Sequence, residues 1–137
     1  MRRYLAMYHP NAGYEVARTY RYKITGKAEA CLLSTKHWKT GHEISLCTGI
    51  IAELTNHEEQ FLKDRDFSVM FSSRVNSMCL FLGPARFVNH NCKPNCEFFV
   101  IGARKEQRIC LRARSKIQVG EELTVFYAQN YFGNSFY

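Results

Sequence analysis

The sequence of 137 residues lacks the features that mark several large classes of protein. No apolar run approaches the roughly 18–20 residues that a membrane-spanning helix needs, and the basic pair Arg2 and Arg3 is not followed by the apolar segment of a secretory signal. We therefore expect an intracellular protein. There is also no P-loop, GxGxxG, GxSxG or HExxH motif, so the common nucleotide-binding and hydrolytic classes find no support.

The composition excludes disorder of the whole chain and argues against a disulfide framework. Hydrophobic residues make up 46% and aromatic residues 14%, which suits one domain with a buried core, and there are no repeats, low-complexity tracts or linkers. Four of the six cysteines lie singly within apolar runs, where a thiol behaves as a small buried hydrophobic group. These four are Cys31, Cys47, Cys79 and Cys110. A secreted, disulfide-stapled chain is the alternative.

The charge of the chain is unevenly distributed. A net charge of +7 favours an anionic partner such as nucleic acid, although a solvated basic surface without a partner would give the same value. Five of the twelve acidic residues fall within residues 53–66. This acidic segment could receive a basic peptide, or it could be the exposed face of a helix. Its members are Glu53, Glu58, Glu59, Asp64 and Asp66.

Short apolar runs between turns predict a mostly β protein with one or two short helices. After a helical or irregular start and a turn at residues 10–13, we predict a helix from an N-cap at Thr55 to about residue 64, with acidic residues in its first turn. One strand, residues 43–54, is expected to be interrupted at Gly49. The other predicted strands are residues 14–22, 29–35, 67–71, 78–82, 98–101, 109–113 and 123–127.

The octet NHNCKPNC, residues 89–96, is unusually rich in polar and metal-binding side chains. It has no amphipathic period, Pro94 disfavours regular structure before it, and apolar strands are predicted on both sides. A polar, kinked loop held between strands is typical of a binding site. His90, Cys92 and Cys96 have the chemistry of zinc ligands, although a fourth ligand would have to come from elsewhere. A small zinc or nucleic-acid-binding domain is therefore one alternative.

Two motifs carry a resemblance to a known family. RFVNHNCKPN at residues 86–95 and GEELTVFY at residues 120–127 resemble the paired motifs of the SET domain of lysine methyltransferases, which use S-adenosylmethionine. FSVM (67–70), LGPARF (82–87) and NYFG (130–133) are similar to the branch that methylates lysine 20 of histone H4, and its fungal members above all. The resemblance implies a β-clip of small curved sheets with a C-terminal pseudoknot, in which residues 87–92 lie beside residues 123–128.

The same resemblance implies a domain organisation and a cofactor site. Residues 1–22 would precede the SET domain at 23–128, and residues 129–137 would begin a post-SET-like tail. Asn89 and His90 would hold the cofactor, the histidine mainly through its backbone at the adenine. Tyr127 would also contact the cofactor and would be the catalytic phenol beside the transferred methyl group. The other implied cofactor contacts are Tyr22, Ser68 and the stretch Glu29, Ala30, Cys31 and Leu32, where the family carries a Gly-x-Gly turn that this sequence lacks.

The resemblance also implies a substrate channel, and it implies a metal site only under one condition. Phe126, Tyr131 and Phe132 are expected to wall the lysine channel. In the branch, the cysteine corresponding to Cys92 joins a C-x-C-x2-C cluster on zinc, whereas this chain has no cysteine after Cys110. Zinc at Cys92 is therefore expected only where such a cluster exists.

The resemblance implies a histone-lysine N-methyltransferase that acts on lysine 20 of histone H4 in the nucleus. Its partners would be the histone H4 tail in the nucleosome and DNA, the latter through the basic surface. A non-catalytic SET-fold module that binds chromatin is the second alternative. Measurement of cofactor binding and methyl transfer separates these two hypotheses.

Overall fold

The structure, a computed structural model, describes residues 2–20, 29–62, 69–72, 76–102 and 108–127, with the side chains of residues 70–72 left aside. Strands dominate these ranges, as the sequence predicts. The helices are α1 (Arg2–Leu5), α2 (Asn56–Leu62) and 3-10 turns at Ala6–Tyr8 and Pro84–Phe87. The strands are β1 (Tyr14–Thr19), β2 (Glu29–Ser34), β3 (Glu43–Glu53), β4 (Val69–Ser72), β5 (Ser77–Leu82), β6 (Asn89–His90), β7 (Cys96–Ile101), β8 (Arg108–Ala113) and β9 (Thr124–Val125).

The described strands form small sheets. β1 and β2 pair in an antiparallel ribbon, and five antiparallel strands follow the spatial order β4-β5-β3-β8-β7. β6 and β9 form a two-stranded parallel pair. The core lies between β2, the five-stranded sheet and the segment that leads into β9, with Leu32, Ile44, Leu111 and Leu123 fully buried. None of the described helices has the length and apolar character needed to cross a membrane.

Three details of the strand prediction are wrong. β3 runs through Gly49, and its irregularity is a bulge between Ile44 and Thr48 instead. Gly49 allows close packing, because a Cβ there would overlap the Phe81 ring. Asn89 and His90, predicted to be irregular, form β6, because the distant strand β9 supplies the pairing partner. β9 itself is shorter than residues 123–127, because the Tyr127 N–H bonds a side chain instead of a strand.

The prediction of an N-cap at Thr55 is confirmed. The Glu58 N–H donates to the Thr55 hydroxyl at 3.3 Å, and the Thr55 N–H donates to the Glu58 carboxylate at 2.8 Å, so each satisfies the other. This backbone hydrogen bond from Thr55 lowers the pKa of Glu58. Within the acidic segment, Glu53 and Glu58 are exposed, while Asp64 and Asp66 lie outside the described residues.

The cysteines divide into buried and exposed thiols, and none of the six is in a disulfide. The four predicted to be buried, Cys31, Cys47, Cys79 and Cys110, are all buried. Cys96 is buried as well, whereas Cys92 is exposed. Two cysteines of the octet thus have opposite environments, which matters for the metal hypothesis below.

Candidate functional site

The centre of the candidate site is the junction of β6 and β9, two segments far apart in the sequence. Asn89 pairs with Thr124 and His90 with Val125, both in parallel register. The Asn91 N–H continues the ladder and donates to the Val125 carbonyl at 2.9 Å. The expectation that residues 87–92 lie beside residues 123–128 is confirmed at these pairs.

Asparagine side chains tie the junction together. The Asn95 amide donates to the Glu122 carbonyl at 2.8 Å and accepts from the Thr124 N–H at 2.9 Å. The Asn89 amide donates to the Ala30 carbonyl and to the Glu122 carboxylate, each at 3.0 Å. Both asparagines therefore hold β2, β6 and the approach to β9 in register. Asn95 was not singled out from the sequence, although its place in the octet, directly after Pro94, was available as a signal.

His90 is held against the end of β9 by its ring. Its Nδ1 accepts from the Tyr127 N–H at 2.9 Å, which fixes the orientation of the ring. The ring centroid lies 5.0 Å from that of Phe126 and 5.4 Å from that of Tyr127. The His90 ring thus packs against both neighbouring aromatic side chains, and Phe126 is 54% exposed.

The Tyr127 phenol is fixed by the chain that enters β6. Its hydroxyl donates to the carbonyl of Val88, a buried residue directly before Asn89. Because the hydroxyl proton is directed to Val88, the phenol oxygen can act towards another group only as a hydrogen-bond acceptor.

The residues at the junction fit a nucleotide-like cofactor bound through the backbone. Because the Asn91 N–H donates to Val125, alternation along the strand points the N–H and C=O of His90 to the opposite side, away from β9. These groups could bond an adenine edge. Asn89 can contribute its amide oxygen, since both amide hydrogens are directed to protein atoms and its backbone faces β9.

The stretch Glu29, Ala30, Cys31 and Leu32 forms the first part of β2 and lies beside this junction. The Cys31 and Leu32 side chains are buried in the core, and the Leu32 carbonyl accepts from the Leu123 N–H at 2.8 Å. Of these residues, the structure brings Ala30 into direct contact with Asn89. Tyr22, Ser68, Tyr131 and Phe132 lie outside the described residues.

The side chains of the zinc hypothesis, His90, Cys92 and Cys96, do not converge in the structure. These residues are all described, and no group of three or more metal-binding side chains is found in the described part of the chain. Cys92 Sγ lies 3.5 Å from His90 Nε2, but Cys96 is in the core. Burial raises the pKa of the Cys96 thiol to about 12. The strand register, with Cys96 paired to Ala113, turns this thiol inward.

Comparison with known proteins identifies the family. The sequence pattern of the SET domain matches residues 29–128. The chain belongs to the SET-domain family. Over 131 residues the SET domain and its flanks are 44% identical to histone-lysine N-methyltransferase set9 of Schizosaccharomyces pombe, covering 95% of this chain and 29% of that protein. The histone-lysine N-methyltransferase Suv4-20 of Caenorhabditis briggsae is 33% identical, over 96% of this chain and 40% of its own length.

The structural comparison agrees on the fold. A humanized mutant of the Chaetomium thermophilum Polycomb Repressive Complex 2, bound to an inhibitor, superimposes with a TM-score of 0.64 at 17% identity, over 88% of this chain and 16% of that chain. At that identity the likeness establishes the SET fold alone. The chain spans less than a third of the fission yeast relative it matches.

Proposed function

We propose that this SET domain transfers methyl groups from S-adenosylmethionine to lysine 20 of histone H4. The observation that carries the proposal is the meeting of His90, Phe126 and Tyr127 where β6 and β9 pair. It is supported by the names of the relatives, which are histone-lysine N-methyltransferases and include a Suv4-20 protein. A phenol acceptor, an exposed aromatic ring and a backbone edge meet the needs of a lysine amine and a cofactor.

S-adenosylmethionine, when bound, supplies a methyl group already activated on a sulfonium. The chain's own work is therefore mostly positioning. We assign the adenine contact to the His90 backbone and further contacts to Asn89 and to the backbone beside Ala30. Tyr22 and Ser68 are proposed contacts on the strength of the resemblance alone.

The lysine amine must be neutral to attack, and a free lysine has a pKa of roughly 10.4. An apolar aromatic channel disfavours the ammonium form, so we propose that Phe126, with Tyr131 and Phe132, lowers the amine's pKa by desolvation. The Tyr127 oxygen then accepts an N–H of the amine, which turns the nitrogen lone pair towards the methyl group.

The proposal includes the setting of the reaction. We place the protein in the nucleus, acting on nucleosomes, with DNA contacted through the basic surface and the exposed Glu53 and Glu58 as candidate contacts of the histone tail. We assign residues 1–22 to a segment before the SET domain, residues 23–128 to the domain and residues 129–137 to the start of a post-SET-like tail. Cys92, exposed beside His90, is available to zinc if further cysteine ligands join it.

The test is methyl transfer from labelled S-adenosylmethionine to recombinant nucleosomes. We expect label on histone H4, and its loss on matched nucleosomes whose H4 carries alanine in place of lysine 20. Label on another histone would reject the proposed substrate but keep the activity. Cofactor binding without transfer to any histone would favour the non-catalytic chromatin module.

A further inference from the structure

An open groove of about 390 Å³ lies between the N-terminal helix and the five-stranded sheet. One wall is formed by α1 and the 3-10 turn after it, another by the bulged part of β3, and one end by the start of β8. The groove is lined by Arg2, Arg3, Ala6, Ser45, Leu46, Thr48 and Arg108. Its size suits a small ligand unit such as a phosphate with its attached sugar.

The groove carries strong positive charge without internal compensation. Three of its lining residues are arginines, two contain hydroxyl groups, and none is acidic. Within the described part of the chain, no carboxylate forms an ion pair with Arg2, Arg3 or Arg108. A guanidinium group presents a planar fork of N–H donors that matches a phosphate. A groove lined by three arginines and two hydroxyl-bearing residues therefore suits an anionic group.

Helix α1, which lines the groove, contacts the 3-10 turn that precedes β6 of the candidate active site. The Tyr4 ring of α1 packs edge-on against Phe87 at 6.4 Å, and Arg86 Nη1 donates to the Tyr4 hydroxyl at 3.4 Å. Phe87 directly precedes Val88, whose carbonyl receives the Tyr127 phenol. The helix that lines the groove thus packs against the segment that holds the Tyr127 phenol.

We propose that the Arg2–Arg3–Arg108 groove binds the phosphate backbone of DNA. This proposal rests on the nucleosomal role proposed above and adds the surface that would contact the DNA. DNA binding by the groove does not itself require methyl transfer. A sequence-independent contact at this place would orient the nucleosome on the domain, because phosphate contacts fix position and orientation.

The test compares two triple variants that remove equal charge. The first is R2A/R3A/R108A, and the control is K39A/R114A/K116A, whose side chains are exposed elsewhere on the domain. Affinity for a short DNA duplex is measured between about 50 and 200 mM salt, without histone or cofactor. We expect the groove variant to lose at least about tenfold in affinity and its logarithmic salt slope to fall by about 2–3. The control should lose markedly less.

The outcomes are separable. Equal losses in the two variants would mean diffuse attraction by net charge and would reject the groove. Unchanged DNA binding with reduced methylation of nucleosomes would point to an acidic protein surface and also overturn the proposal. Methyl transfer to a free H4 tail peptide should survive in the groove variant. If the unaltered chain does not methylate this peptide, the proposed activity is rejected, while the result on DNA binding still stands. If the triple variant unfolds, R108A alone should lower the slope by about 1.

Discussion

The junction of β6 and β9 and the interior of the five-stranded sheet accommodate polar side chains in opposite ways. At the junction, the amides of Asn89 and Asn95 bond named backbone and side-chain partners. In the sheet, the buried polar atoms are mostly thiols, which are weak donors: Cys110 Sγ donates to the Ile44 carbonyl at 3.3 Å. Amides require specific partners, whereas thiols pack as small apolar groups. Hydrogen bonds that require particular partners are therefore concentrated at the junction, where the candidate site lies.

The largest expected effect comes from breaking the junction at Asn95. Asn95→Ala leaves the Glu122 carbonyl and the Thr124 N–H without this partner, so we expect the free energy of unfolding to fall by about 3 kcal/mol. Urea denaturation measures it. Asn91→Ala is the matched control from the same octet, because the Asn91 side chain accepts one exposed hydrogen bond, from the Lys93 N–H at 2.9 Å. Equal losses would mean that the Asn95 bonds add nothing to stability.

The next largest expected effect separates the chemical step from cofactor binding at the junction. Tyr127→Phe keeps the ring beside His90 but removes the phenol oxygen, so we expect turnover to fall about 100-fold. Cofactor affinity should change little, since the proposed cofactor contacts are backbone and Asn89 groups. Kinetics and calorimetric titration measure the two. Tyr8→Phe, at an exposed phenol, is the control. Equal losses in turnover and affinity would refute the assigned role of Tyr127.

The thiols of the sheet predict a dependence of stability on pH. Burial first, and then the neighbouring Cys110 and Cys96, raise the pKa of Cys47, while burial raises the pKa of Cys110 from 9.0 to about 11. Between these two values, the unfolded chain releases the Cys110 proton and the folded chain keeps it. Stability from this thiol is therefore complete below about pH 9 and is lost as the pH rises towards 11.

Removal of one thiol should make this loss less steep. In reducing buffer between about pH 9 and pH 11, Cys110→Ala should decrease the slope of unfolding free energy by about 1.4 kcal/mol per pH unit. Cys92→Ala, at the exposed thiol, is the matched control. A slope unchanged by Cys110→Ala would mean that the folded and unfolded chains bind this proton alike.

The sequence predicts what is local and misses what depends on distant pairing. Alternating apolar runs located most strands, and the Thr55 cap was readable because its partner is three residues away. The pairing of β6 with β9 has no local signal and entered only through resemblance to the SET family. Composition likewise treats Cys92 and Cys96 alike, and only the pairing of Cys96 with Ala113 sends one thiol into the core. The resemblance predicts a cofactor contact at Asn89, but the hydrogen-bond partners of its side chain cannot be read from the sequence.

The smallest expected effect compares the strength of two hydrogen-bonded contacts within the junction. The Glu122 carboxylate accepts a hydrogen bond from Asn89, while the Asn95 bond goes to the Glu122 backbone and survives substitution. Glu122→Ala should therefore cost about 1 kcal/mol of unfolding free energy, well below Asn95→Ala. Glu122→Gln keeps an oxygen acceptor and should recover most of the loss. If Gln is as damaging as Ala, the negative charge and not the hydrogen bond holds Asn89, and the junction would depend on electrostatics that salt can screen.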